Sequence, residues 1–318
     1  MSSTTRRTLA VALLAGTLAV STTACNRESS SSGGKGSSGG TSITLALSTL
    51  NNPFFVDLRD GAQDAAKAAG STINVVDAQN DAATQANQLA DAATKKPSAV
   101  IINPVDSDAA GAAVKPVSNA KIPVIGVDRG VNGVDIATLV SSDNVAGGKQ
   151  AAEALAKAIG EKGEILILQG VAGTSASRDR GQGFEEGLKA FPQIKVAAKQ
   201  PANFERAQGL NVTTNLLQSH PNVTAVFAEN DEMALGAVQA LGAKAGKEVK
   251  VFGFDGTADG LKAVKAGTMV GTIAQQPKVL GQKAVELALQ IADGKQVDKK
   301  IPVEVKTVEV GNVGEYLK

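Results

Sequence analysis

Short apolar runs rich in Val and Ile alternate with longer Ala-rich segments along most of the chain. In the longer segments apolar residues recur with the period of an α-helix, whereas the short runs have the length and composition of buried strands. This alternation predicts βαβ units that build a mostly parallel sheet. In the first half, strands are predicted at residues 43–47, 73–77, 99–102 and 124–127, and helices at 55–69, 82–94 and 108–119.

A second series of the same kind follows. Its strands are predicted at residues 164–168, 195–198, 225–227 and 249–252, and its helices at 177–190, 206–219 and 232–241. Because each half carries its own β-α-β-α-β-α-β series, two similar sheets are favoured over one long sheet. The tail, with a helix at 279–292, is too short for a third domain and is expected to pack on the first two. The sequence predicts an α/β protein of two similar lobes, each a parallel β-sheet flanked by helices.

The first residues differ in kind from this body. A pair of arginines precedes an apolar run over residues 9–20 and then small residues up to Ala24, which is the pattern of an export signal and too short for a membrane-spanning helix. Cys25, the only cysteine, stands where bacterial lipoprotein signals place the residue that is acylated. Thr22 departs from such signals, which carry an apolar residue there. We expect a lipoprotein-type signal peptide over 1–24, with ordinary cleavage near Ala24 as the alternative; the arginine pair leaves the twin-arginine export route open.

A stretch that is almost entirely Ser and Gly follows the signal, and such a composition cannot bury enough apolar surface to fold. We expect residues 25–42 to comprise a lipidated Cys25 and a flexible linker. The protein would then be anchored to the outer face of the cytoplasmic membrane, or be periplasmic if Cys25 is not acylated. The net charge is +1 and no basic stretch could neutralise a phosphate backbone, so nucleic acid is not an expected partner.

Polar and aromatic side chains recur just after the predicted strands, at the sheet edge where open α/β folds bind ligands. They are Asn52, Phe54, Phe55, Asn103, Asp128, Arg129, Asn230, Phe254 and Asp255. Amides, carboxylates and guanidinium groups can satisfy sugar hydroxyls, and aromatic rings can lie against the apolar faces of a sugar. The acids Asp128 and Asp255 are matched by Arg129 and Arg180, and a balanced cleft favours a neutral ligand.

Structural roles compete with this interpretation, since Asn and Asp after strands often cap helices and Phe is most often core. We expect caps or turn residues at Asn51, Asp106, Asp108 and Asp231. Asp143 with Asn144 is expected to open the helix that follows them. As a set at one sheet edge, however, the polar and aromatic residues favour a binding site.

Catalytic and cofactor sites have little support in the sequence. His220 is the only histidine and Cys25 the only cysteine, so a His-containing triad or a zinc site of the usual kind is excluded. The glycines after Arg180 do not follow a strand, and no cofactor is expected. A sugar-processing enzyme built on Asp128 and Asp255 stays a remote alternative, as does a sugar-responsive transcription regulator, which would need a DNA-binding region where the signal and linker lie.

Eight segments resemble the ribose-binding proteins of bacterial ABC importers. They are STLNNPFF from Ser48, INPVDSDA from Ile102, VDR from Val127, SSDNVAGGK from Ser141, LQGVAGTSASRDRGQGF from Leu168, FAENDEMALGA from Phe227, GFDGTADG from Gly253 and TIAQQP from Thr272. The resemblance implies that the sugar is hydrogen-bonded by Asn52, Asp128, Arg129, Arg180, Asn230, Asp255 and Gln275. It implies stacking on Phe54, Phe55 and Phe204, and lesser contacts from Asn103, Ser142, Val171 and Phe254.

The resemblance also implies the periplasmic-binding-protein fold of type I, with a three-segment hinge near Ser142, Gln275 and Pro302. One lobe would comprise residues 43–142 and 276–303, and the other 143–275 and 304–318. The implied function is that of a non-enzymatic, monomeric binding subunit that closes on D-ribose and delivers it to a membrane permease with a separate ATPase subunit. Another sugar (allose, another pentose or a furanosyl signal) and a chemoreceptor partner stay open as alternatives.

Overall fold

The computed structural model describes residues 40–317. The predicted signal peptide, Cys25 and most of the predicted linker lie outside these residues. The strands are β1 (Ser42–Leu47), β2 (Thr72–Asp77), β3 (Ala99–Ile102), β4 (Val124–Val127), β5 (Thr138–Ser142), β6 (Gly163–Gln169), β7 (Ile194–Pro201), β8 (Ala225–Ala228), β9 (Lys250–Asp255), β10 (Gly271–Ala274), β11 (Lys300–Val303) and β12 (Lys306–Glu309). The helices are α1 (Pro53–Ala68), α2 (Ala82–Lys95), α3 (Ala110–Asn119), α4 (Asn144–Ala158), α5 (Ser175–Leu188), α6 (Arg206–Ser219), α7 (Asp231–Leu241), α8 (Ala258–Lys265) and α9 (Pro277–Ala292). Within this part of the chain, no helix is both long and apolar enough to cross a membrane.

The first sheet has the strand order β11-β5-β4-β3-β1-β2, and its strand pairs are parallel. Alternate residues of a strand point to opposite faces of a sheet. Leu45 and Ile101 therefore pack beneath α1 and α9, whereas Ala46 and Ile102 pack beneath α2 and α3. Both faces are buried, which explains why β3 is continuously apolar and why β1 is apolar except for Ser42 and Thr44.

The second sheet has the order β12-β10-β9-β8-β6-β7 and is parallel except at its edge, where β12 runs antiparallel to β10. Ile165 and Ile167 of β6 pack under α4 and α5. Leu166 and Leu168 face the opposite core, which α6, α7 and α8 cover. The two sheets thus have the same three-layered construction, and the α/β fold class predicted from the sequence is confirmed.

The chain passes from one sheet to the other at three places. It leaves β5 for α4, returns from β10 to α9, and leaves again from β11 to β12. The backbone N–H of Asp143 donates to the carbonyl oxygen of Val303 at 3.0 Å, and Nε2 of Gln276 donates to that of Glu304 at 3.0 Å. The three crossings therefore lie side by side, and we call them the hinge.

We call the first sheet with α1, α2, α3 and α9 the first lobe, and the second sheet with α4 to α8 the second lobe. The predicted strands and helices of both halves are present, with ends that differ by a few residues. The prediction did not include β5, β10, β11, β12 or α8. The residue boundaries of the lobes stay a prediction.

Asn51 and Asp231, expected as caps or turn residues, do not cap the helices next to them. Asn52, not Asn51, caps α1, because Oδ1 of Asn52 accepts from the backbone N–H of Phe54 at 2.9 Å. Asn230, not Asp231, caps α7 by accepting from the backbone N–H of Met233 at 2.9 Å.

The expectation for Asp143 is confirmed, since Oδ1 of Asp143 accepts from the backbone N–H of Ala146 at 3.0 Å and caps α4. Asp106 is a turn residue, as expected, because its Oδ1 accepts from the backbone N–H groups of Asp108 and Ala109.

Candidate ligand-binding site

The loops after the carboxyl ends of both sheets meet between the lobes and enclose a small cavity, the inner pocket. Its lining residues are Asn52, Phe54, Phe55, Asp128, Arg129, Ala176, Arg180, Phe204, Asn230 and Asp255. All but Ala176 were predicted as ligand contacts. In this arrangement the free volume is about 20 Å³, which is room for about one water molecule.

A wider cleft of about 340 Å³ adjoins the inner pocket. We call it the outer cleft, and it is lined by Thr49, Asn51, Asn52, Phe55, Asn80, Arg129, Val171, Asn203, Phe204, Glu205, Arg206, Ala207 and Glu232. Four of these residues also line the inner pocket, so the two spaces share a wall. Val171 was predicted as a ligand contact, and the structure places it in the outer cleft only.

Arg180 is a fully oriented cation of the second lobe. Arg180 lies on the inner side of α5. Its Nε donates to Oδ1 of Asn144 at 2.9 Å, and its Nη1 donates to the backbone carbonyl oxygen of Glu229 at 2.7 Å. Its guanidinium carbon lies 4.0 Å from the centre of the Phe254 ring, within the range of a cation–π contact. Nη1 also lies 3.4 Å from Oδ1 of Asp255. The planar group is therefore held on several sides before any ligand binds.

Arg129 is the corresponding cation of the first lobe. Its guanidinium carbon lies 5.2 Å from the ring centre of Phe55 and 5.4 Å from that of Phe204, and Nη1 donates to the carbonyl oxygen of Pro104 at 3.0 Å. Nε of Arg129 is buried without a hydrogen-bond partner. Burial lowers the pKa of Arg129 to about 10, against the opposing charge of Asp128. The group stays charged at neutral pH and keeps an unused N–H inside the pocket.

Asp128 is held from behind by an amide that does not line the pocket. Nδ2 of Asn103 donates to Oδ2 of Asp128 at 3.0 Å, while Oδ1 of Asn103 accepts from the hydroxyl of Ser48 at 2.6 Å. Oδ1 of Asp128 is buried with no partner. Burial raises the pKa of Asp128, and the charges of Arg129 and Arg180 oppose that rise. The free oxygen is an acceptor available to a ligand.

Asp255 occupies the matching place at the end of β9. Nε2 of Gln275 donates to Oδ1 of Asp255 at 2.7 Å, and Oε1 of Gln275 has no partner. Burial raises the pKa of Asp255 well above its ordinary value, against the charge of Arg180. Asp255, Asp128 and Phe204 have positive φ values of 127°, 64° and 62°, a region that costs free energy for residues other than Gly and is frequent at functional sites. The backbone is therefore strained at three predicted ligand contacts.

Phe54 and Phe55 form an aromatic corner in the first lobe. Their ring centres are 5.2 Å apart and their planes are at 86°, an edge-to-face pair. Phe204 faces them from the second lobe, where its ring packs directly over Gly170. A ligand in the inner pocket would therefore meet aromatic surface from both lobes.

Residues 43–296 match the model of a family described as the periplasmic binding protein domain. The chain belongs to this family. The ribose import binding protein of Salmonella typhimurium is 50% identical over 266 residues, which cover 84% of this chain and 90% of that protein. The ribose import binding protein of Bacillus subtilis is 44% identical over 264 residues, or 83% of this chain and 86% of that one.

Two solved structures of solute binding proteins are also similar to this chain. A solute binding protein of Actinobacillus succinogenes with bound D-allose has a TM-score of 0.82 and 34% identity, covering 87% of this chain and all of that chain (100%). One from Bacillus halodurans with bound myo-inositol has a TM-score of 0.84 and 33% identity, covering 89% of this chain and 99% of that chain. The type I fold implied by the sequence is therefore confirmed.

Four predicted contacts of this periplasmic binding protein line neither cavity. Asn103 lies behind Asp128, Phe254 lies under the guanidinium of Arg180, and Gln275 lies against Asp255. Ser142 is buried at the end of β5, at the first hinge crossing. Three of the four thus touch a pocket side chain, and their direct contact with a ligand stays a prediction.

Glu229 is a buried carboxyl group that the sequence analysis missed. Its Oε2 accepts from the backbone N–H of Gly170 at 2.7 Å and from the hydroxyl of Ser177, and Oε1 has no partner. Burial raises the pKa of Glu229 to about 7. Glu229 directly follows the buried strand β8, and this position is the sequence signal that could have indicated it. The prediction named the next residue, Asn230, instead. Through Gly170 and Ser177, Glu229 joins the segment beneath the ring of Phe204 to α5, the helix that carries Arg180.

Within residues 40–317, no cluster of three or more His, Cys, Asp or Glu side chains is arranged to hold a metal ion. The ionisable groups of the pocket are instead paired as acid and base, with Nε of Arg129 3.7 Å from Oδ2 of Asp128 in one lobe and Arg180 beside Asp255 in the other. The site can therefore offer buried donors and acceptors to a neutral polyol without a surplus of either charge.

Proposed function

We propose that this periplasmic binding protein binds a neutral monosaccharide, D-ribose in the first place, between its lobes and delivers it to the permease of an ABC importer. A separate subunit would hydrolyse ATP, and the binding protein itself would catalyse no reaction. The identity of 44–50% with ribose import binding proteins over most of their length supports this proposal. The observation that carries it is the inner pocket, in which two buried Arg–Asp pairs lie among three phenylalanine rings.

The chemistry of a pyranose or furanose fits this pocket. The rings of Phe55 and Phe204 offer apolar surface to the C–H faces of a sugar, and the unpaired Oδ1 of Asp128 can accept from a hydroxyl group. Nε of Arg129 can donate to the same ligand. Because each charge already has a partner of opposite sign, an anionic ligand would meet no net attraction.

Entry of a sugar requires the lobes to separate, since the inner pocket has a free volume of only about 20 Å³ in this arrangement. The hinge allows such a motion, because each crossing is a short segment between elements of different lobes. A sugar that contacts both lobes favours the closed state by the free energy of the contacts that only this state makes. A permease that recognises the closed form would then distinguish loaded from empty protein.

Calorimetric titration of the mature protein tests the proposal. We expect D-ribose to bind with a Kd in the micromolar range or tighter, about −8 kcal/mol or more favourable. D-allose and myo-inositol, which are bound by two similar proteins, serve as comparison ligands. No heat with D-ribose beside tight binding of another sugar would overturn the choice of ribose, and no binding of any sugar would overturn the function.

Two further expectations belong to this proposal. The lobes would be discontinuous, with boundaries at 142/143, 275/276 and 303/304, and Cys25 would be acylated, so that the exported monomer is tethered to the outer face of the cytoplasmic membrane. Mass spectrometry of the membrane-extracted protein checks the second point. A mature chain with an unmodified thiol at Cys25 would refute the lipid anchor.

A further inference from the structure

Three hydrogen bonds join the lobes outside the ligand site. The backbone N–H of Ser107 donates to the carbonyl oxygen of Gly173 at 3.0 Å. The backbone N–H of Ser175 donates to Oγ of Ser107 at 3.1 Å, and Oγ of Ser175 accepts from the backbone N–H of Gly130 at 2.9 Å. Ser107 and Gly130 belong to the first lobe, and Gly173 and Ser175 to the second. We call these four residues the latch.

The latch is built for close approach. Ser107 is fully buried and Ser175 is 8% exposed. They follow the carboxyl ends of β3 and β6, where contact with the opposite lobe keeps them from water. Gly173 has a φ of 84°, and a Cβ atom there would lie 2.4 Å from Oδ2 of Asp106 in the opposite lobe. Glycine is therefore required at this position for the lobes to meet as they do.

The latch is separate from the ligand site. None of its four residues lines the inner pocket or the outer cleft. Gly130 and Ser175 instead face a third cavity of about 250 Å³ on the side of the hinge, and Asp128 is the one residue that this cavity shares with the inner pocket. Outside the hinge, the three latch bonds are the direct hydrogen bonds between lobes in the part of the chain that the structure describes.

We propose that the latch sets the open–closed equilibrium of this protein independently of the sugar, and so scales the affinity for every ligand by the same factor. When the lobes separate, the N–H groups and hydroxyls of the latch lose their hydrogen bonds to each other and bond to water instead. The free energy that the latch contributes therefore depends only on whether the lobes are closed. The apparent dissociation constant is the intrinsic one divided by the closed fraction. This inference rests on the proposed function only in that sugar binding is the convenient measure of closure.

Ser107→Ala and Ser175→Ala each remove one side-chain acceptor of the latch and add no bulk. In the closed state the N–H groups of Ser175 and Gly130 would then lack those partners, whereas in the open state water serves them. Because one hydrogen bond contributes about a factor of five in an equilibrium constant, we expect each variant to lower the closed-to-open ratio about fivefold and so to raise Kd by up to about fivefold, and the double variant to raise it further. Ser219→Ala, an exposed serine at the end of α6, is the matched control and should leave Kd unchanged.

The decisive measurement is the ratio of variant to wild-type Kd, taken by calorimetry for D-ribose, D-allose and any other sugar of the panel that binds. The latch predicts one ratio for all of them. A ratio of one in the double variant, or ratios that differ between sugars as they would for a pocket residue, would overturn it. Thermal unfolding without sugar, with far-UV circular dichroism, checks that the variants fold.

The latch can also be tested if the choice of sugar is wrong. Failure of D-ribose with binding of another sugar refutes only the ribose assignment, and the second sugar then measures the latch. If no sugar binds, small-angle X-ray scattering of the sugar-free protein decides. Where the scattering of the sugar-free wild type shows a closed population, the double variant should be more expanded, and superimposable scattering curves would then refute the latch.

Discussion

At the scale of single residues, the charged groups of the pocket are oriented by neighbours that do not line it. Asn103 holds Asp128, Gln275 holds Asp255, and Asn144 holds Arg180. Fixing a long side chain before binding removes part of the entropy that a ligand would otherwise have to offset. These amides are therefore expected to matter for affinity without necessarily touching the sugar.

Asn144 offers the clearest test of this orientation. Asn144→Ala removes the acceptor of Nε of Arg180, so the guanidinium group loses one of its fixed contacts. We expect Kd for the sugar to rise about tenfold, since a hydrogen bond to a charged group contributes ~1.5 kcal/mol or more. Asn144→Asp keeps an acceptor oxygen and should restore most of the affinity, as calorimetry can show. An Asn144→Ala variant that binds as tightly as the wild type would contradict the positioning role.

Glu229 gives the protein a defined pH dependence of stability. Burial raises its pKa from the ordinary 4.5 to about 7, so the folded state favours the protonated carboxyl. The stability from this preference is fully present below pH 4.5 and is lost as the pH rises through about 7. Between pH 4.5 and pH 8 we expect the free energy of unfolding of the wild type to fall by about 3 kcal/mol more than that of Glu229→Gln. Only the wild type has to bury a carboxylate at position 229.

Urea unfolding at several pH values measures this difference. Glu248→Gln, at an exposed carboxyl group, is the control and should follow the wild type. Parallel pH profiles for the wild type and Glu229→Gln would show that the buried carboxyl group does not titrate in this range.

The sequence was a better guide to which residue types meet than to what each atom does. The carbonyl oxygens of the Asn52 and Asn230 amides cap helices, so capping and pocket lining were not alternatives for these residues. Asp231 was expected to be a cap or turn residue. Its carboxylate instead accepts from the backbone N–H and hydroxyl of Thr257 and from the hydroxyl of Thr272. Such partners are distant in sequence, and no local pattern predicts them.

At the scale of elements, α4 and α5 connect the hinge to the ligand site. α4 starts directly after the first crossing, and α5 carries Arg180. The helices approach so closely that a Cβ at Gly148 would lie 2.3 Å from the carbonyl oxygen of Arg180, and one at Gly183 would lie 2.1 Å from that of Val145. Glycine on both helices thus sets the distance between them.

Gly148→Ala is expected to destabilise the protein by about 1–3 kcal/mol, because the methyl group would overlap backbone atoms of α5 that cannot move aside. The displacement of α5 should also weaken sugar binding through Arg180. Gly311→Ala is the matched control, since no atom lies within 4 Å of a Cβ built there. Urea unfolding and calorimetry measure the two effects, and a Gly148→Ala variant as stable as the control would refute the packing constraint.

Strands between long helices were predictable, whereas isolated short strands were not. β3 is continuously apolar and β1 is apolar except for Ser42 and Thr44, and each is followed by a helical period. β4 is continuously apolar and directly follows α3. β10 begins with Gly271 and Thr272, and β11 contains Lys300 and Pro302, so neither is a continuous apolar run that stands out from a turn. β11 pairs with β5 only after the chain has left the first lobe and returned to it, and this long-range arrangement leaves no periodic signal.

At the scale of the whole molecule, a bound ligand would connect two lobes that have separate hydrophobic cores. Asp128 and Phe55 are in the first lobe and Asp255 and Phe204 in the second, so a sugar in the inner pocket would contact both lobes. A ligand that binds only the native state stabilises it by about 2.7 kcal/mol at a concentration of one hundred times Kd. That stabilisation is available only while both lobes are folded.

We therefore expect sugar to raise the unfolding temperature and to make the lobes unfold together in scanning calorimetry. Asp128→Ala in the first lobe and Asp255→Ala in the second should each abolish the sugar-dependent rise, although each variant alters only one lobe. The same variants at equal sugar concentration control for nonspecific effects of the solute. If either variant kept the full rise, the ligand would be held by one lobe alone, and closure between two lobes would no longer explain binding.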